Sequence, residues 1–403
     1  MKKTLLLVFL IGCWALINLF SCGKKITRPH ELPAGGVIGE TTYVQLDPPW
    51  DDAHGYDFRN PHKIIIGWDT YIYVADTDND RILRLDAHGS IRGNYSVPHP
   101  VGLTQDELLR LLVVDGISKN IYKIDVGPNG NGIALLCYSW SNTVRNDTLM
   151  LTGSDVFTDI ANATGYSKRY YVTAATPSIL QSGKVVVFGN LIDNPTINTT
   201  WWRNDTSFTY SVPGFDSIAV DTVLFDYLLD SKYLVTGDTT TNPQVRYGTG
   251  IGSTSHPNGI TAFRRNNRDY LLITQDSSYF KCQLLVWTPN NYYRLGWYYT
   301  GLSGSDNDLH RNNFFAGPSA ATIDSAGNIY VVGWGSDSTN LAYKFDSSGK
   351  LRMSFGTLGD TTGQLNSPSG IAYDNFANRK TIYIADTGNN RILRFKLSTD
   401  IQQ

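Results

Sequence analysis

The chain has 403 residues, more than the roughly 250–300 at which a single hydrophobic core usually stops growing, so it is either several domains or one repetitive array. Charged residues make up 17 % of the chain, below the roughly 25 % of ordinary soluble domains. The net charge is −2; a nucleic-acid binder carries a basic footprint, so no nucleic-acid partner is expected. Thr, Asn, Gly and Asp are abundant beside 24 Tyr and 9 Trp, a mixture that favours strands and tight turns over helices.

In chain order, residues 1–21 read as a signal peptide. Lys2 and Lys3 precede an apolar run from Leu5 to Phe20, the pattern of an export signal. The run ends in Leu19-Phe20-Ser21-Cys22-Gly23, which resembles the lipobox of bacterial lipoproteins. That resemblance implies that Cys22 carries the lipid and that residues 22–40 tether a domain to a membrane. About 20 apolar residues can also span a bilayer uncleaved. Against this, Lys24, Lys25 and Arg28 follow the run, and positive flanks prefer the cytoplasm. The expected location is the bacterial cell envelope, as an exported outer-membrane or surface lipoprotein. Of the later cysteines, Cys137 and Cys282 lie in apolar runs of distant segments and read as core thiols rather than a disulfide.

Residues 41–403 are repetitive. Ile72-Tyr73-Val74-Ala75-Asp76-Thr77 followed by Asn79-Asp80-Arg81-Ile82-Leu83-Arg84 recurs as Ile382-Tyr383-Ile384-Ala385-Asp386-Thr387 followed by Asn389-Asn390-Arg391-Ile392-Leu393-Arg394. With Pro368-Ser369-Gly370-Ile371-Ala372 upstream, this resembles the NHL repeat, which implies an all-β propeller of four-stranded blades. First strands are expected near Lys63, Val101, Phe157, Ser217, Asn258, Ser319 and Ser369, giving seven blades, with six as the alternative because the segment after Ser217 is poorly marked. The last blade stops after a third strand ending at Leu397, and the strand-like run Thr41 to Asp47 has no blade of its own. An N-terminal strand that completes the final blade would close the ring and cover its edge.

Asp76, Asp78 and Asp80 alternate like calcium ligands, but Arg81 and Ala87 stand where such a loop needs Gly and Glu, so the segment reads as a turn. His99 and His256 directly precede prolines that open first strands, His62 follows Pro61, and His310 precedes Pro318. Imidazoles around a channel could hold a metal ion, making His99, His256 and His310 metal candidates; otherwise they are polar loop residues, and no cofactor is expected. No nucleophile elbow and no phosphate loop are present. The pairs and triplets Trp201-Trp202, Tyr292-Tyr293 and Trp297-Tyr298-Tyr299 read as packing between blades, with sugar stacking as the alternative. The longest segments fall on the face bearing the loops from second to third strands and the links between blades. There His62, His99, His256, Asp306, Asp308, His310 and Arg311 are the candidates to meet a ligand. The expected function is a binding scaffold for an envelope protein, peptide or polysaccharide. The competing reading is a metal-dependent lyase or lactonase-like enzyme at the channel mouth.

Overall fold

The computed structural model describes residues 42–401 except 129, 140–155, 164–168, 176–183, 190–197, 202–205, 210–223, 226–255, 267, 277–279, 288–295, 298–307, 312–313, 336–339 and 377–378. The signal, Cys22 and the tether therefore lie outside the described residues, as does Asp306. Among the described residues no helix is long and apolar enough to cross a membrane.

The fold is an all-β propeller. The described residues form six four-stranded sheets, and the expected count of seven is corrected. Their first strands are Pro61–Ile66, Pro100–Gln105, Val156–Asn162, Pro257–Arg265, Phe315–Ile323 and Gly370–Asp374, which define blades one to six. The miscount arises after Ser217. The strand found there, Leu224–Phe225, opens no new sheet but pairs with Lys184–Gly189 as the outermost strand of blade three. The hairpin Asn198–Trp201 with Thr206–Thr209 intervenes as a separate two-stranded sheet, stretching the interval that the repeat spacing had filled with a blade. Tyr43–Gln45 pairs antiparallel with Arg391–Leu397 and is the fourth strand of blade six.

The first strands touch in cyclic order, each meeting the next and blade six meeting blade one. The sequence supplies the means. Thr77 Oγ1 donates to the Pro100 carbonyl at 2.7 Å, Thr158 Oγ1 to Pro257 at 2.8 Å and Thr387 Oγ1 to Pro61 at 2.7 Å. A hydroxyl of one blade thus donates to the opening backbone carbonyl of its successor, helping to satisfy a buried acceptor. Between these contacts lie the apolar layers. Ile72, Val74 and Leu83 of blade one pack against Ala372 and Tyr383 of blade six, while Tyr73, Ala75 and Ile82 pack against Leu103, Leu111 and Val113 of blade two. Alternating strand positions therefore serve two neighbours, so no blade buries its faces alone.

The conserved-looking turn of the two clearest repeats is a buried clamp. Asp76 is fully buried; its Oδ1 accepts from Arg59 N at 2.7 Å, and its Oδ2 from Asn79 Nδ2 at 2.8 Å and Arg81 Nε at 2.6 Å. Asp386 repeats this with Asn366 N, Asn389 Nδ2 and Arg391 Nε at 2.5, 2.8 and 2.7 Å. Asp80 and Asn390 close the two turns with φ of 50° and 51°, the left-handed region that Asp and Asn tolerate better than most residues. The Asp76-Asp78-Asp80 run is thus a turn whose first carboxylate is occupied by protein donors.

Candidate functional site

The first strands share a feature that the repeat pattern conceals. Two residues after the opening Pro (Phe157 in blade three) stand Lys63, Gly102, Asp159, Gly259, Ala320 and Gly370 in blades one to six. Glycine suits this position because neighbouring hub strands nearly touch. A Cβ on Gly102 would lie 2.6 Å from the Asp159 Cα, one on Gly259 2.5 Å from the Ser319 carbonyl oxygen, and one on Gly370 2.6 Å from that of His62. Blades one and three break the rule with opposite charges. Lys63 Nζ donates to Asp159 Oδ2 and, at 3.1 Å, to the Ile260 carbonyl of blade four. Asp159 also accepts from Ile260 N at 2.9 Å and Ile160 N at 2.8 Å. Both side chains are buried. Burial pushes the Asp159 carboxyl above its ordinary range, against the opposing pull of Lys63.

Lys63 of this pair also lines a cavity of about 250 Å³ at the hub, walled by residues from all six first strands. Its wall is aliphatic where Ile65, Leu103, Ile160, Ile260 and Ile371 contribute, and it continues past the strand ends to Gly67, Trp68 and Phe376. Trp68 is 45 % exposed, and its backbone N–H is held by Gln105 Oε1 at 2.6 Å. Polar side chains interrupt the wall at Thr104, Asn162, Thr261, Thr322 and Tyr373. Thr261 Oγ1 donates to the Ala321 carbonyl at 2.7 Å. The side chains of Thr104, Asn162, Thr322 and Tyr373 form no hydrogen bond with a described residue. Burial pushes the Tyr373 phenol well above its ordinary range, so it stays a protonated donor, its ring stacked on Tyr330 at 5.1 Å.

The residues singled out from the sequence lie elsewhere and apart. His99 and His256 precede first strands, at the end of the channel opposite Trp68 and Phe376. Their backbones explain them: φ is 37° and 56°, and the equivalent pre-proline residues Asn60 and Ser367 have φ of 54° and 48°. In these four blades the position is left-handed, a backbone that His and Asn adopt more readily than most residues. His256 Nδ1 faces Asp276 Oδ1 at 2.9 Å, and that carboxylate raises the imidazole above its ordinary range. The His62 Nδ1 lies 2.8 Å from the Val101 carbonyl oxygen, and burial lowers this imidazole. Asp308, His310 and Arg311 sit at the outer side of blade five. Asp308 Oδ2 accepts from Leu351 N at 2.9 Å at the head of that blade's outermost strand, and Arg311 pairs with Asp308 at 3.3 Å. His310 is buried, its Nε2 accepting from Leu284 N at 3.3 Å. Among the described residues no three His, Cys, Asp or Glu side chains are grouped to hold a metal ion, so His99, His256 and His310 do not assemble a site. Cys282 is a free, buried thiol. The side chains of Cys137 and of the three aromatic groups lie outside the described residues.

No protein-family model matches the chain, and no curated protein is similar to it in sequence. Solved structures of similar fold include a provisionally named gluconolactonase, at 11 % identity and TM-score 0.49 over 91 % of this chain and 94 % of that one. A streptogramin B lyase has 14 % identity and TM-score 0.43 over 89 % and 98 %. Regucalcin from Agrobacterium tumefaciens, a calcium-binding protein, has 9 % identity and TM-score 0.48 over 89 % and 94 %. At such identities the likeness concerns the fold alone.

Lys63 and Asp159 escaped the sequence reading, although a signal for them was present. They are ionisable residues at positions where three other repeats place glycine. That signal is a departure from the repeat itself, not a histidine or a metal-ligand spacing.

Proposed function

We propose that this propeller binds a small molecule in its hub cavity, in place of the protein, peptide or polysaccharide partner expected from the sequence. The observation that carries the reading is the cavity: about 250 Å³, walled by every described blade, with Lys63 of the buried ion pair in its lining. Pockets that are largely apolar, with a few convergent polar groups, are the usual form of small-molecule sites. A space equivalent to about eight waters admits a small compound or the end of a longer one, not a folded partner. Thr104→Trp would fill the cavity from blade two. Ligands found by saturation-transfer NMR against the wild type should lose their signal in this variant. Retained binding would place the site elsewhere on the propeller.

A catalytic role at the same place is the second reading, favoured by the buried pair. Burial-shifted ionisable groups cluster where acid–base chemistry is found; the Asp159 carboxyl is shifted in this way and adjoins the cavity through its partner Lys63, which lines it. Turnover of a bound compound, lost in Lys63→Met, would distinguish an enzyme from a receptor.

A further inference from the structure

We propose that the hub cavity recognises an uncharged, hydroxyl-rich ring compound, a cyclic polyol or a sugar of pyranose size. This rests on the cavity being the binding site, and it follows from how the cavity's polar groups are already used.

Charge is the first discriminator. Among the described residues, Lys63 is the one cationic residue lining the cavity and no lining residue is acidic. The Lys63 ammonium is paired with Asp159. A carboxylate or phosphate entering here would compete with Asp159 for one cation, leaving an excess negative charge in a buried hub, and an amine would add an uncompensated positive one. Either costs several kcal/mol in effective terms. An ammonium has three donors, and the protein acceptors of Lys63 number two, Asp159 and the Ile260 carbonyl. One donor therefore remains for a neutral acceptor.

Hydrogen bonding is the second. Thr104, Asn162 and Thr322 come from blades two, three and five, and none hydrogen-bonds a described residue. Hydroxyls and an amide offer both donors and acceptors and match a ligand whose own groups do both, as hydroxyls do. Their distribution around the hub calls for several such groups spread over the ligand's perimeter. An aliphatic chain would leave them unpaired where water is excluded, which costs affinity.

Shape is the third. The aliphatic wall and the aromatic faces of Trp68 and Phe376 offer apolar surface to the C–H face of a ring, while the polar groups take its edge.

The test uses saturation-transfer NMR and calorimetry on the propeller with five probes. Methyl α-D-glucopyranoside and myo-inositol are neutral and polyhydroxylated, D-glucuronate and D-glucosamine are charged counterparts, and cyclohexanol is a ring with one hydroxyl. The expected result is binding of at least one neutral polyol, with the charged probes and cyclohexanol at least ten-fold weaker. Asn162→Leu and Thr322→Val should each weaken it about five-fold, the loss of one net hydrogen bond of about 1 kcal/mol. Preferred binding of a charged probe or of cyclohexanol, lost in Thr104→Trp, would overturn the ligand class while leaving the cavity as the site. So would polyol binding indifferent to Asn162→Leu and Thr322→Val but lost in Thr104→Trp. Binding of any probe that survives Thr104→Trp, or no binding of any of the five, would count against both the ligand class and the cavity reading.

Discussion

His310 shows how far a residue's role can lie from the one its sequence neighbours suggest. Beside Asp308 and Arg311 it looked like part of an exposed polar cluster, yet its backbone segment packs Leu309 against Cys282, Phe315 and Phe345. Burial pushes its imidazole down to about 4, whereas an unfolded histidine titrates near 6.5. Between those values the unfolded chain binds a proton that the native protein excludes, so native stability falls as pH drops through this window and is unaffected by this group above it. The shift corresponds to about 3 kcal/mol by linkage. Urea unfolding of the wild type and of His310→Gln at pH 7 and pH 4.5 should show the variant losing markedly less stability on acidification. Parallel losses would mean that this imidazole is protonated in the native state.

At the scale of elements, the clamp that closes the second-to-third-strand turn is what made the fold readable. Asp386 is fully buried and Arg391 nearly so, and the Arg391 guanidinium also donates to the Asp360 and Gln364 carbonyls at 2.6 and 3.0 Å, tying down the preceding link. Removing one partner of a buried pair strands the other, at about 3–5 kcal/mol. Arg391→Leu should therefore lower the urea midpoint severely. Arg352→Leu, which breaks the exposed pair with Asp346, should change stability by less than about 1 kcal/mol; similar losses in both would deny the clamp its structural weight. Because the clamp needs Asp, Asn and Arg at fixed offsets, it survives in the sequence as a legible motif, and with it the four-stranded blade. Blade number was less legible, since a strand as short as Leu224–Phe225 carries no periodicity. The cavity was hardest to read: its polar residues are isolated Thr, Asn and Tyr, made neighbours only by ring geometry. The histidines drew attention for a backbone reason, the left-handed residue before four of the opening prolines.

For the whole molecule, the buried pair at the hub bears on which ring the chain can form. Repeats derived from one pattern present nearly interchangeable surfaces, so a blade could dock on the wrong neighbour, be skipped, or be exchanged with a second chain. The Lys63–Asp159 pair makes such alternatives unequal: it spans blade two, where Gly102 leaves room for the Asp159 backbone, and it is braced by blade four through Ile260. Any mis-ordered ring leaves an ammonium or a carboxylate alone in the hub. Buried ion pairs seldom add stability over apolar residues of similar size; their value here would lie in discriminating against decoy assemblies. The double variant Lys63→Met/Asp159→Leu should resist urea at least as well as the wild type, yet yield more exchanged dimers on refolding at high concentration, counted by light scattering after size exclusion. Refolding to monomer as cleanly as the wild type would remove this role from the pair. A ring of near-identical parts thus carries one asymmetric mark, and that mark gives the assembly a first blade and a third.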